Sequence, residues 1–409
     1  MNYPPTNTYN HDLICLSHLR WNFVFQRPQH LMSRFARERR VYFVEEPVFD
    51  TDKCALTSVV CPRTGVHVVT PHLSPEANRN QMLQKLLIKF AHSEGIQNPI
   101  VWFYTPMATE FFPKEISAAA VVYDCMDELS AFRGAPTELQ QLEKELLQRA
   151  NLVFTGGVSL FEAKRHSHPR VYPFPSGVDI LHFVQARNLP GDFAEQKNIP
   201  RPRLGYAGVI DERLDLPLID EIARKRPDWQ FVMIGPVVKI SPDALPRRAN
   251  IHWLGIKDYA DLPNYFAGWD VGIMPFALNE ATRFISPTKT PEYLSAGLPV
   301  VSTAIRDVVR PYGELGLARI ARSADEFVAA ADEVIGMDMG FKWRERADEF
   351  LESLSWDSVW GGMNTLIAGA LKLRDLHLMN PAAGQARAPR QSPASERLSR
   401  LEWGSAARV

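Results

Sequence analysis

Residues 286–303 read SPTKTPEYLSAGLPVVST, a polar turn, a short helix, a terminating glycine and then an apolar strand. Pro291 disfavours helical geometry at the residue before it, so the helix is expected to start near position 290. Gly297 suits a left-handed helix end, and the run that follows it is short and apolar on both faces. A strand of that kind is buried between helix layers, which makes this stretch one αβ unit of a parallel sheet.

The same unit repeats in both directions. Apolar runs at 204–207, 231–234, 251–254, 271–274 and 300–302 alternate with helical patterns, and an earlier set falls at 13–17, 41–44, 100–104, 121–123 and 152–155. A helix is expected over 138–150, with Thr137 and Gln140 forming a capping box at its start. Between the two sets, residues 185–202 carry three prolines and no periodicity. The expected fold class is therefore α/β: two Rossmann-like, doubly wound parallel-sheet domains facing a central cleft. The expected boundaries are a first domain at 1–190, a linker at 191–202, a second domain at 203–355 and a last helix at 356–378. Ser355 is the expected N-cap of that helix.

Residues 379–409 have a composition that suits a disordered basic tail, since positions 380–409 hold five Arg against two Glu. Such a tail is either simply solvated or in weak contact with anionic lipid at the inner membrane. The 409 residues carry 46 Lys and Arg against 47 Asp and Glu, a near-neutral balance that argues against a nucleic-acid partner. Four scattered cysteines without a C-x-x-C pair, no signal-peptide pattern and no apolar run of bilayer length point to a cytoplasmic chain.

Four segments carry chemistry. In the first, Ser286 and Thr288, the N–H groups of a helix start and Lys289 make an anion site, and Glu292 is placed to accept hydrogen bonds from sugar hydroxyls. The alternative is a capped helix with a surface Lys–Glu pair. In the second, GYAGVIDERLD at 205–215, Gly205 and Gly208 permit close backbone approach. Arg213 there can take a phosphate in two hydrogen bonds, with Asp215 expected to orient it. In the third, 17–36, His18 and Arg20 follow a strand, while Gln26 and Arg27 precede Pro28 at a helix mouth and are expected to face the cleft. His18 reads as a general base or as a hydrogen-bonded loop histidine. Asp124, Asp127 and Glu128 follow another strand and read as ligands for acceptor hydroxyls or as helix caps. No G-x-G-x-x-G, G-x-S-x-G, H-E-x-x-H, P-loop or EF-hand pattern occurs.

In order and spacing, PSGVDILHF (175–183), GYAGVIDERLD, NIHWLGIKDYADLPNYFAGWDVGIMPF (250–276) and the opening stretch resemble the retaining family-4, group 1 glycosyltransferases of GT-B fold. The segment WNFVFQRPQHLMSRFA resembles a bacterial subgroup that makes surface polysaccharide. The resemblance implies transfer from a UDP- or GDP-sugar to a saccharide or lipid-linked acceptor, with retention. It implies no cofactor beyond the nucleotide-sugar substrate, and no metal.

By that resemblance Arg213 and Lys289 hold the donor diphosphate with the backbone of Gly208 and Val209. Glu292 binds the ribose, and Gly235 and Pro236 border the nucleotide pocket. Asp127 joins Arg213 and Lys289 as the expected catalytic set, and His18, Arg20, Gln26, Arg27 and Asp124 form the expected acceptor side. One position departs from the pattern: the first glutamate of the family's Glu-x7-Glu motif is Phe284 here. Two other readings stay open, a nucleotide-sugar epimerase of the same fold and a non-catalytic nucleotide- or glycan-binding protein.

Overall fold

The computed structural model describes residues 11–337 and 339–379. The expected tail at 380–409 lies outside them. The chain divides into two compact units, one built from residues up to Ser130, Gly134–Phe174 and the chain from Val359 onward, the other from Ala131–Arg133 and Pro175–Ser358.

The first unit is an eight-stranded sheet. Its strands are β1 (Leu13–Leu16), β2 (Val41–Val44), β3 (Ala55–Val60), β4 (His67–His72), β5 (Ile100–Phe103), β6 (Ala120–Cys125), β7 (Leu152–Thr155) and β8 (Val171–Pro173). Their order is β3-β4-β2-β1-β5-β6-β7-β8, and only β3–β4 pair antiparallel. β1, β2, β5 and β7 are buried at every position, which is why they read as unbroken apolar runs. β3 is an edge strand with only Leu56 shielded, so it has no such run, and the hairpin it forms with β4 is absent from the expected elements.

The second unit is a six-stranded, all-parallel sheet of β9 (Arg203–Ala207), β10 (Gln230–Ile234), β11 (Ile251–Gly255), β12 (Val271–Met274), β13 (Val300–Thr303) and β14 (Ala318–Ala321). Its order is β11-β10-β9-β12-β13-β14, so the winding reverses between β9 and β12. In an open α/β sheet the carboxyl ends of strands at such a reversal form a crevice where ligands bind.

Two expectations about local structure change and a third holds. Residues 191–202 do not stand apart as an interdomain linker but group wholly with the second unit, whose boundary lies at Pro175. The reason is a buried amide: Gln196 donates to the carbonyls of Gly191 (3.2 Å) and Tyr265 (3.1 Å) and accepts from Trp269 Nε1 (2.8 Å). The helix expected over 138–150 is present at Leu139–Arg149, but Glu138 stands at its N-cap without a side-chain cap bond. A backbone turn from the Leu139 N–H to the Pro136 carbonyl (3.2 Å) takes the place of the Thr137–Gln140 box. The last helix, Trp356–Met379, does begin at Ser355, whose Oγ accepts from the Ser358 N–H at 3.2 Å. Among the described residues no helix is long and apolar enough to cross a membrane.

Candidate functional site

The carboxyl ends of β9 and β10 approach each other through two glycines. A Cβ on Gly208 would meet Tyr206 Oη at 2.7 Å and Lys289 Cε at 3.2 Å. A Cβ on Gly235, which has φ +145°, would lie 1.8 Å from the Gly208 carbonyl oxygen. Gly235 therefore requires glycine, while a side chain at Gly208 would have to displace the ends of Tyr206 and Lys289. The two loops run in register: Gly208 N–H donates to Ile234 O and Ile210 N–H to Pro236 O, each at 2.9 Å. Tyr206 Oη donates to Val209 O at 3.0 Å and fixes the start of the loop. Burial pushes the Tyr206 phenol well above its ordinary range, against the pull of nearby Arg213.

Arg213 sits on the same loop, tied to the next strand end. Ala277 N–H donates to Arg213 O (2.8 Å), and Asp215 N–H donates to Pro275 O (2.9 Å). Its guanidinium is clamped by Asp211: Nε lies 2.9 Å from Oδ1 and Nη2 lies 2.8 Å from Oδ2. The orienting carboxylate is therefore Asp211 and not Asp215. Asp215 instead caps the helix Leu216–Lys225 by accepting from Leu218 N–H at 2.9 Å. A planar fork held on one edge by a buried carboxylate is pre-oriented for an anion.

The helix Lys289–Ser295 begins one residue before the expected start, and Thr288 is its N-cap. Lys289 Nζ donates to Thr288 Oγ1 at 3.0 Å and lies 3.3 Å from Glu292 Oε2, while Ser286 is half-buried in the preceding turn. Burial raises the Glu292 carboxyl above the ordinary glutamate range, and Lys289 partly opposes that. The helix is seated by Tyr293, whose Oη accepts from the Ala207 N–H (2.9 Å), and a Cβ on Gly272 would strike the Tyr293 ring at 2.5 Å. Gly208, Val209, Arg213, Gly235, Pro236, Thr288, Lys289 and Glu292 thus come from loops at the ends of β9 and β10 and from the helix before β13. Asp211, Tyr206 and Tyr293 complete the arrangement. Only Asp211 had a sequence signal, an acid two positions from the arginine.

In the first unit two expected acceptor residues are displaced from that role. Arg27 and Asp124 are 1% and 0% exposed and face each other, with Nε to Oδ2 at 2.9 Å and Nη2 to Oδ1 at 2.8 Å. Arg27 Nη1 also donates to Phe174 O at 2.8 Å. Neither side chain reaches solvent, so the pair braces β6 against the helix Arg27–Phe35, whose first residue is Arg27. Gln26 is the N-cap of that helix in a capping box with Gln29. Arg20 is anchored to Glu45 Oε2 (3.1 Å) and to the carbonyls of Glu46 (2.6 Å) and Pro47 (3.3 Å). His18 is half-buried in the loop after β1. Asp127 is half-buried in the turn after β6, where its carbonyl accepts from Leu129 N–H at 3.1 Å. Its neighbour Glu128 is held by Lys164 at 2.7 Å.

Residues 201–336 match the family described as "Glycosyl transferases group 1". A curated relative, named as a teichuronic acid biosynthesis glycosyltransferase, TuaH, of Bacillus subtilis (strain 168), is 25% identical over 256 residues, 59% of this chain. The match spans 64% of the length of that relative. Among solved structures, sucrose-phosphate synthase from Thermosynechococcus elongatus superposes with a TM-score of 0.64 at 13% identity, over 89% of this chain and 100% of the other. An E. coli trehalose-6-phosphate protein bound with UDP-2-fluoro glucose gives 0.63 at 14%, over 88% and 99%. HepE of Anabaena, in complex with UDP and glucose, gives 0.62 at 14%, over 87% and 99%. The fold is GT-B, and the stretch that matches the group 1 glycosyltransferase model lies within the second unit.

Proposed function

We propose that this chain, with its group 1 glycosyltransferase domain on a GT-B fold, is a glycosyltransferase that takes a UDP- or GDP-sugar in the second unit. The observation that carries the reading is the convergence of the Asp211-clamped Arg213, the glycine pair Gly208–Gly235 and the Lys289–Glu292 pair at the carboxyl ends of β9 and β10. Two cations beside a glycine turn that allows close approach suit a diphosphate, and a buried carboxylate suits the hydroxyls of a ribose. Arg213 and Lys289 would stabilise the charge that grows on the departing diphosphate, which is the largest electrostatic demand of glycosyl transfer. UDP or a UDP-sugar bound in two structural neighbours supports this choice of ligand.

The saccharide or lipid-linked acceptor, retention at the anomeric carbon and a place in cell-surface polysaccharide synthesis belong to the same proposal. So do the nucleotide sugar as sole small-molecule requirement, Asp127 as a reacting-site residue, and peripheral inner-membrane contact. The first experiment is calorimetry of the full chain with UDP, GDP and their sugars, for wild type and for Arg213→Ala and Lys289→Ala. Loss of nucleotide diphosphate binding in both variants is the expected result, and unchanged binding in both refutes the assignment. Phe284 stands where the family's first glutamate would be, which favours a second reading of nucleotide binding without transfer. That reading requires tight binding with no product against any acceptor.

A further inference from the structure

Glu212 lies between the clamping Asp211 and Arg213, yet neither carboxylate oxygen has a hydrogen-bond donor. The side chain is 16% exposed and both oxygens are shielded from solvent. The nearest cation, Lys239 Nζ, is at 4.0 Å, beyond hydrogen-bonding distance. A shielded carboxylate without donors is costly, so such groups are rare unless something outside the bare chain supplies the donors.

Its surroundings are built rather than accidental. The Glu212 carbonyl accepts from Asn279 Nδ2 at 3.3 Å, so the loop after β12 holds it from one side. From another, Lys239 takes a positive φ of 61°, a conformation uncommon for a residue with a side chain. The loops after β9, β10 and β12 therefore meet at this residue, the chain neighbour of the arginine assigned to the diphosphate.

We propose that Glu212 is a specificity-determining residue that accepts hydrogen bonds from hydroxyls of the sugar carried by the nucleotide donor. The inference rests on the donor-site reading of the second unit. A carboxylate is acceptor-only, which matches adjacent sugar hydroxyls and leaves the phosphates to Arg213 and Lys289. The sugar is the part of the donor attached directly to the diphosphate, and Glu212 is the chain neighbour of the arginine assigned to that diphosphate. Apo stability and ligand affinity are then opposed at this position: the empty carboxylate weakens the free chain and strengthens the complex.

The test compares wild type, Glu212→Gln and Glu212→Asp by calorimetry with matched pairs, UDP against UDP-glucose and GDP against GDP-mannose, and by thermal unfolding of the free chain. Glu212→Gln is expected to keep nucleotide diphosphate affinity within about twofold and to lose about tenfold to a hundredfold for the nucleotide sugar, the scale of hydrogen bonds to a charged group. The free variant should unfold at an unchanged or higher temperature, because an undonated charge has gone. Glu212→Asp keeps the charge on a shorter arm and should lose sugar affinity without gaining stability. Equal losses for the diphosphate and the sugar, or no loss for the sugar, overturn the role of Glu212 alone. Failure of wild type to bind UDP or GDP overturns the donor-site reading and this inference with it.

Discussion

Replacing Arg213 by alanine should have two separable effects, because its guanidinium, which also lies over the Phe132 ring at 5.8 Å, has one permanent anionic partner and one transient one. The permanent partner is Asp211, 3% exposed, which takes Nε at 2.9 Å and Nη2 at 2.8 Å and also accepts the Arg213 backbone N–H at 3.0 Å. Arg213→Ala leaves that carboxylate with the backbone donor alone. Stranding a buried charge costs about 3–5 kcal/mol, and Arg213 is itself 24% exposed, so water recovers part; the loss of stability should be about 2–3 kcal/mol. The transient partner is the diphosphate. Losing two charge-assisted bonds costs about 3 kcal/mol of binding, roughly a hundredfold in Kd.

The double variant Asp211→Asn/Arg213→Ala removes the stranded charge, so it should regain about half or more of the lost stability but none of the lost affinity. Urea unfolding followed by circular dichroism reads the first effect and calorimetry with UDP and GDP the second. A single variant that binds nucleotide within twofold of wild type refutes the assignment of Arg213 to the diphosphate. A double variant whose stability loss is the sum of the two singles refutes the coupling of the pair.

Gly235→Ala should cost about 3–5 kcal/mol of stability, since its Cβ would lie 1.8 Å from Gly208 O at φ +145°, and should abolish nucleotide binding by parting the two loops; denaturant midpoints and calorimetry check both. Arg27→Met should destabilise by about 3–5 kcal/mol by leaving Asp124 buried and unpaired, and Arg27→Met/Asp124→Leu should recover most of that. Nucleotide affinity should stay level in both chains, as neither residue belongs to the second unit. Glu292 has its carboxyl raised above the ordinary glutamate range by burial, so its contribution to stability is present below that range and lost as pH rises through the raised value. Glu292→Gln should therefore flatten this part of the stability–pH curve and raise stability at neutral pH, while weakening nucleotide binding. In the wild type, binding should fall on acidification before ordinary glutamates titrate, because the neutral acid is a poorer acceptor.

The buried strands were legible because a parallel strand covered on both faces is apolar at successive positions, as at Val41–Val44 and Val271–Met274. The β3 edge was not, since Thr57, Ser58, Val59 and Val60 are all exposed and carry no burial pattern. The segment 191–202 misled for a related reason. Its prolines are visible in sequence, but the burial of Gln196 against Trp269 depends on residues more than seventy positions away.

The same division runs through the site. The sequence by itself determined two wound α/β halves, the glycines at 208 and 235, and the basic and acidic side chains Arg213, Lys289 and Glu292 beside strand ends, because short-range patterning dictates all of these. Only the tertiary structure decided which charges are occupied. Arg27 and Asp124 neutralise each other in the core although they are 97 positions apart, Asp211 takes the role expected of Asp215, and Glu212 is left without a donor. A charge's availability depends on what surrounds it in space, and sequence spacing does not encode that.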